Sequence, residues 1–122
     1  MPHNIFILED DTALRAVVRE DLQMSGYDVR EEGTMAGLRS RFDESSPDVL
    51  LLDLELPDGH GLDLLPEVKR HWPRVQVVIL TGHGTVEVAE SAFRSGEVFL
   101  LSKPFDSELL KGVLDLALAA RK

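Results

Sequence analysis

Val49-Leu50-Leu51-Leu52-Asp53-Leu54-Glu55-Leu56-Pro57-Asp58-Gly59-His60-Gly61 is the stretch from which the fold can be read. It starts with four consecutive aliphatic side chains and stops on an acid. A strand with one wet face alternates apolar and polar residues. An unbroken apolar run is instead buried on both faces, as in a parallel sheet covered by helices on each side. Pro57-Asp58-Gly59 then reads as a turn.

Four further apolar runs flank this one, at residues 5–8, 27–30, 75–80 and 98–101, and the segments between them carry helical spacing. Leu14, Val17, Val18 and Leu22 form the stripe of a first helix, closed by Gly26 just beyond its end. Residues 34–45 place Met35, Leu38 and Phe42 on one face, and Pro47 stops that helix because the residue before a proline avoids the helical region. A third helix is expected over 62–71, with Pro66 near its start where a missing N–H is tolerated. A fourth, over 85–95, groups Val88, Ala89, Ala92 and Phe93 and ends at Gly96. The fifth, over 106–120, is capped by Asp106, with Leu109, Val113, Leu116 and Ala117 as its inner side. Leu110, Leu114 and Leu118 are an apolar excess beyond that stripe, open to burial or to a dimer or effector contact. Strict alternation of strand and helix with right-handed crossovers makes the expected fold α/β: a single doubly wound (βα)5 unit with a parallel five-stranded sheet over 1–122.

The 122 residues are one domain's worth of chain, and 13 Lys and Arg against 22 Asp and Glu leave a net charge of -9. That balance argues against direct nucleic acid binding by this domain, because phosphate neutralisation needs a basic face. The absence of cysteine excludes disulfides, a thiol nucleophile and a thiolate zinc site, and suits a reducing cytoplasm. Glu9, Asp10, Asp11 and Glu20 stand where a secretory signal needs a basic start and a long apolar core. No uncharged apolar run approaches the roughly 20 residues that span a bilayer. The expected location is cytoplasmic, with no membrane association.

In open parallel sheets the functional crevice lies beyond the carboxyl ends of the strands. Glu9, Asp10 and Asp11 follow the first strand, Asp53 the third, Thr81 the fourth, and Ser102, Lys103 and Pro104 the fifth. Each has an ordinary explanation. The early acids could complement a helix dipole, with Asp11 and its neighbour Thr12 as a cap. Asp53 could end a strand as a turn residue, Thr81 could be a β-branched strand end, and Lys103 a solvated lysine. Together they make a different case. Carboxylates brought to one end of a sheet raise each other's pKa unless a cation compensates, and a hard divalent ion such as Mg²⁺ does so. Lys103 adds an ammonium and Thr81 a hydroxyl, the parts that phosphoryl transfer requires. No Gly-rich loop follows the first strand, and Glu-Asp-Asp there would repel a nucleotide's phosphates. His3, His60, His71 and His83 have no histidine three or four residues away, which weighs against zinc. Trp72, beside Pro73, is placed at a helix end.

Glu9-Asp10, Asp53 in Leu-Leu-Asp-Leu-Glu-Leu-Pro-Asp-Gly-His-Gly, Thr81-Gly82 and Lys103-Pro104-Phe105 each directly follow an expected strand. In that order they resemble the receiver domain of bacterial two-component response regulators over essentially the whole chain. The resemblance implies a flavodoxin-like strand order 2-1-3-4-5 and Asp53 as the phosphoacceptor. It implies that Glu9, Asp10, Asp53 and the Glu55 backbone carbonyl hold Mg²⁺ or Mn²⁺, and that Thr81 and Lys103 contact the phosphoryl oxygens. A cis peptide between Lys103 and Pro104 is implied as well. The implied phosphodonor is a sensor histidine kinase or phosphotransfer protein. The output is an effector domain, a protein partner or a homodimer, reached through the surface of the fourth helix, fifth strand and fifth helix. Such a domain is no enzyme beyond promoting its own phosphorylation and dephosphorylation.

The chain departs from the family pattern at three positions. Leu100 stands where the family carries a switch aromatic; smaller than a ring, it is expected to stay buried in both states of a switch led by Thr81. Glu55 and His83, two residues after Asp53 and after Thr81, stand at the positions that the resemblance implies line the route to the phosphoryl group. Two other readings use the same residues. One is a receiver-like fold that only binds proteins, against which stands the complete acid, acid, threonine and lysine set. The other is a small α/β enzyme that turns over a soluble phosphate ester through an aspartyl intermediate; it lacks a second acid or base near Asp53 and a cap domain.

Overall fold

The apolar runs become parallel strands in the computed structural model, which describes residues 2–82 and 98–121. The strands are β1 (Asn4–Leu8), β2 (Asp28–Glu32), β3 (Val49–Asp53), the short β4 (Glu55–Leu56) and β5 (Gly59–His60), β6 (Gln76–Thr81) and β7 (Val98–Ser102). Five of them form one sheet in the order β2-β1-β3-β6-β7, all pairings parallel, while β4 and β5 make a small antiparallel hairpin. Counting the sheet strands alone, this is the order 2-1-3-4-5. The described helices are α1 (Thr12–Met24), α2 (Met35–Arg39), α3 (Leu65–His71), entered through a 3-10 turn at Gly61–Leu64, and α4 (Ser107–Ala120). The helix expected over 85–95, its boundary Gly96, and His83 lie outside the described residues. No described helix is long and apolar enough to cross a membrane.

Val49 to Leu52 are fully buried, and successive residues feed opposite layers, as the pleat requires. Leu50 and Leu52 join Phe6, Leu8, Val77 and Ile79 under Met35, Leu38, Leu65, Val68 and Trp72. Val49 and Leu51 join Ile5, Ile7, Val78 and Leu80 under Val18, Leu22, Leu110, Leu114 and Ala117. Thus α2 and α3 cover one face and α1 and α4 the other. Each fully buried aliphatic side chain contributes roughly 1.5–3 kcal/mol by leaving water.

Local signals set the helix ends. The Asp11 carboxylate accepts from Leu14 N–H at 3.0 Å and that of Asp106 from Leu109 N–H at 2.8 Å, each taking one of the orphan donors of its helix. Gly26, at φ 93°, turns the chain out of α1, and Tyr27 N–H returns to the Leu22 carbonyl at 3.1 Å. Trp72 ends α3 almost completely buried; its indole N–H donates to the Glu44 carbonyl at 3.2 Å.

Four expectations need correction. The second helix is five residues long rather than spanning 34–45. After Ser40, the backbone bonds reach back three residues instead of four (Arg41 N to Leu38 O, Phe42 N to Arg39 O, Glu44 N to Arg41 O). The Ser40 hydroxyl donates to the Gly37 carbonyl at 2.7 Å and competes with the helical ladder. Met35, Leu38 and Phe42 still face the core. In α4 the inner stripe is Leu110, Leu114 and Ala117, with Val113 packed beside it; Ala117 and Val113 face the core as expected, while Leu109 and Leu116 are exposed and Leu110 and Leu114 take their place. Val17 of α1 is 64% exposed, although Val18 and Leu22 are buried as expected. Leu100 is 38% exposed. It lies on β7, the last strand in the sheet order, and belongs to neither core cluster, whereas Leu101 is buried under α4.

Candidate functional site

Glu9, Asp10, Asp53 and Lys103 meet at the carboxyl end of the sheet, and Thr81 ends the neighbouring strand there, while Asp11 serves as the cap of α1. Asp53 is the last residue of β3, one step beyond the pairing of Leu52 with Leu8, in register with Leu80 of β6, and only 4% exposed. Its Oδ1 accepts the Glu55 N–H at 3.2 Å and lies 3.5 Å from Lys103 Nζ. Lys103 Nζ also pairs directly with Glu9 Oε1. Glu9, buried, receives the Asp11 N–H on Oε2 at 3.3 Å. Carboxylate oxygens of Glu9, Asp10 and Asp53 lie within 4.8 Å of one another, with Asp10 exposed and the other two buried. Thr81, also buried, ends β6, and its carbonyl accepts the Lys103 N–H at 2.8 Å. The Lys103–Pro104 peptide is cis.

The electrostatics are unbalanced. Burial pushes the Glu9 carboxyl above its ordinary value, the neighbouring Asp53 adds to this, and Lys103 offsets only part of it. Burial alone would depress the Lys103 ammonium, but the hydrogen bond to Glu9 and the charges of Asp53 and Glu9 outweigh it and hold its pKa above the ordinary value. Three carboxylates thus face one ammonium. Such a set of hard oxygen donors, with one exposed member keeping it open to water, fits a hard divalent cation.

Two residues in the turn after Asp53 do more than the sequence disclosed. A Cβ on Gly61 would run into the Asp53 carbonyl oxygen and the Leu54 Cα, so only glycine permits this close approach of backbone to backbone. Asp58, read as a turn residue, also holds α2: its two carboxylate oxygens accept the Met35 and Ala36 N–H groups, each at 2.9 Å. These partners lie 23 and 22 residues upstream, and no local spacing announces them. The bonds from Ala36 and Met35 hold the Asp58 carboxyl below its ordinary value of 3.8. A depressed carboxylate stabilises the fold above its unfolded pKa and loses that contribution as pH falls through its folded pKa. Asp58→Asn is therefore expected to lower the urea midpoint at neutral pH, with the gap to the unmodified chain closing below pH 3.8. A gap that persists unchanged in acid would remove the charge from this explanation.

Residues 5–115 match the family model described as response regulator receiver domain. The chain belongs to that family. It is 33% identical over 119 residues to the DNA-binding transcriptional regulator NtrC of Bradyrhizobium sp. (strain RP501 Parasponia), covering 98% of this chain and 25% of that protein. The receiver chain thus spans a quarter of the length of this curated relative. Among solved structures, a CheY-like receiver domain protein from Methanospirillum hungatei JF-1 superposes with a TM-score of 0.93 at 23% identity, over 99% of this chain and 97% of the other. That likeness shows the fold. The beryllofluoride-activated NtrC4 receiver domain dimer has a TM-score of 0.90 at 25% identity, with 98% of each chain covered.

Proposed function

We propose that this receiver domain accepts a phosphoryl group on Asp53 from a sensor histidine kinase or phosphotransfer protein and relays the event through its surface to an output. The observation that carries the proposal is the placement of the Asp53 carboxylate: buried at the end of β3, 3.5 Å from Lys103 Nζ, beside Glu9 and Asp10. An Asp53 oxygen forms the bond to phosphorus as the phosphorus–nitrogen bond to the donor imidazole breaks, and the electron pair leaves with that nitrogen. Lys103 offsets charge on the transferred oxygens, and the Thr81 hydroxyl donates to one of them. Glu9, Asp10, Asp53 and the Glu55 backbone carbonyl would hold Mg²⁺ or Mn²⁺, which supplies positive charge for the acids and the transferred group alike.

Because the Thr81 carbonyl already holds the Lys103 N–H, a phosphoryl group that draws in both side chains acts on the ends of β6 and β7 together. It shifts a pre-existing equilibrium between two arrangements of this edge. Leu100, part-exposed on β7, lies on the surface that reports the shift. The relatedness to NtrC supports an output in transcription, and the NtrC4 dimer supports a second copy of the chain as one partner of that surface.

Incubation with acetyl phosphate and Mg²⁺, followed by intact mass, tests the acceptor role: a gain of one phosphoryl group per chain is expected, with no turnover of varied phosphate esters. A folded chain that gains nothing supports the binding-only reading instead. Asp10→Ala is expected to weaken Mg²⁺ binding, seen in NMR shift titrations, and equal affinity would refute the ligand role. Thr81→Ala should still accept phosphate yet lose most of the beryllofluoride-induced shifts on β7.

A further inference from the structure

Arg15 joins three parts of the chain that meet behind the acid pair. It lies in the first turns of α1, and its Nη1 donates to the Glu9 carbonyl at 2.7 Å while its Nε donates to Glu31 Oε1 at 3.0 Å. Arg19, one turn further on, grips the same carboxylate at 3.0 and 2.8 Å, so Glu31 is fixed by two guanidinium groups. The Glu9 N–H is held by the carbonyl of Glu32, the last residue of β2, at 3.1 Å. Both backbone polar groups of Glu9 are therefore tied to the β2 side of the sheet, one of them only through Arg15. Gly33 leaves the room for this. A Cβ there would lie 2.7 Å from Arg15 Nη1.

The Glu9 carbonyl belongs to the peptide plane that joins Glu9 to Asp10. Holding that oxygen fixes the rotation of the plane and hence the direction in which the two acids leave the backbone, one buried toward Lys103 and the other exposed. We propose that Arg15 is a positioning residue for the Glu9–Asp10 pair, setting the spacing of their carboxylates for a divalent cation, with Gly33 as the space its guanidinium needs. This role rests on the reading of Glu9, Asp10 and Asp53 as a metal site. A planar guanidinium can serve the carbonyl and the Glu31 carboxylate in one fixed geometry; an ammonium at the end of a flexible chain cannot.

The sign of the effect separates positioning from charge. Removing a positive group near an acidic cluster strengthens its attraction for a divalent cation, whereas loss of alignment weakens it. The test is Mg²⁺ titration by NMR shifts, with urea denaturation alongside, on the unmodified chain, Arg15→Met, Arg15→Lys, Gly33→Ala and Asp10→Asn. Arg15→Met and Gly33→Ala are each expected to weaken Mg²⁺ binding about tenfold, in line with loss of groups that orient metal ligands. Arg15→Lys should recover little. The double variant Arg15→Met with Gly33→Ala should be no weaker than Arg15→Met alone, because both remove one contact. Unchanged or tighter binding in Arg15→Met, with binding still weakened in Asp10→Asn, would overturn the positioning role and leave the metal site standing. No Mg²⁺ binding by the unmodified chain would overturn both. If Arg15→Met does not fold, Gly33→Ala decides, since it keeps the charge and moves only the flexible tip of Arg15; full affinity there refutes the proposal.

Discussion

Asp53→Asn is expected to abolish labelling by acetyl phosphate while leaving the domain folded. The amide is nearly isosteric with the carboxylate, and its oxygen can still accept the Glu55 N–H that Asp53 Oδ1 holds at 3.2 Å. What it loses is the nucleophilic anion, and neither neighbouring acid replaces it. Glu9 is buried and paired with Lys103, and Asp10 faces solvent. The variant also removes one of three crowded carboxylates and the attraction of Lys103 at 3.5 Å. These changes oppose each other, so the urea midpoint should move little. Intact mass after incubation, read beside the denaturation curve, checks both parts. Undiminished labelling of a folded variant would move the acceptor elsewhere.

The second large effect lies in α4 and concerns stability alone. Leu114 is fully buried against the β3 and β6 face, whereas Leu116 is 62% exposed. Leu114→Ala should cost about 2–5 kcal/mol, the loss of transfer energy plus a cavity the sheet cannot close. Leu116→Ala should stay within about 0.5 kcal/mol. The pair is measured by urea denaturation at one pH. An equal cost at both positions would mean that the exposed leucine is covered in solution. Repeating the measurement across protein concentration would show whether a second chain covers it.

The contrast between those two leucines marks a limit of the sequence. In 106–120 apolar residues fall on several faces, so spacing permits more than one stripe, and only the position of the sheet selects Leu110, Leu114 and Ala117. The buried central strand is legible because Val49 to Leu52 admit no wet face. The strand-end acids, Thr81 and Lys103 are legible because a parallel sheet gathers the carboxyl ends of its strands along one edge. Contacts between distant segments are not. Asp58 reaches α2, Gly61 abuts the Asp53 carbonyl, Arg15 bridges Glu9 and Glu31, and none of these pairings has a local spacing. Leu100 departs from expectation for a related reason. A run of apolar residues predicts a strand, but not that its place at the end of the sheet order leaves one of them partly in water.

The outermost strand β2 has a consequence for how copies of this chain can meet. It ends one side of the sheet order, where unpaired backbone groups would invite a foreign strand. Its sequence, Asp28-Val29-Arg30-Glu31-Glu32, is almost wholly charged, and three of these charges are committed: Glu31 to Arg15 and Arg19, Glu32 to Arg41, Arg30 to Glu44. A strand adding itself there would bring its own side chains against this fixed row of charges on both faces. A border set with fixed charges discourages sheet extension on the β2 side, a hazard that the apolar composition of the inner strands would otherwise carry to the rim.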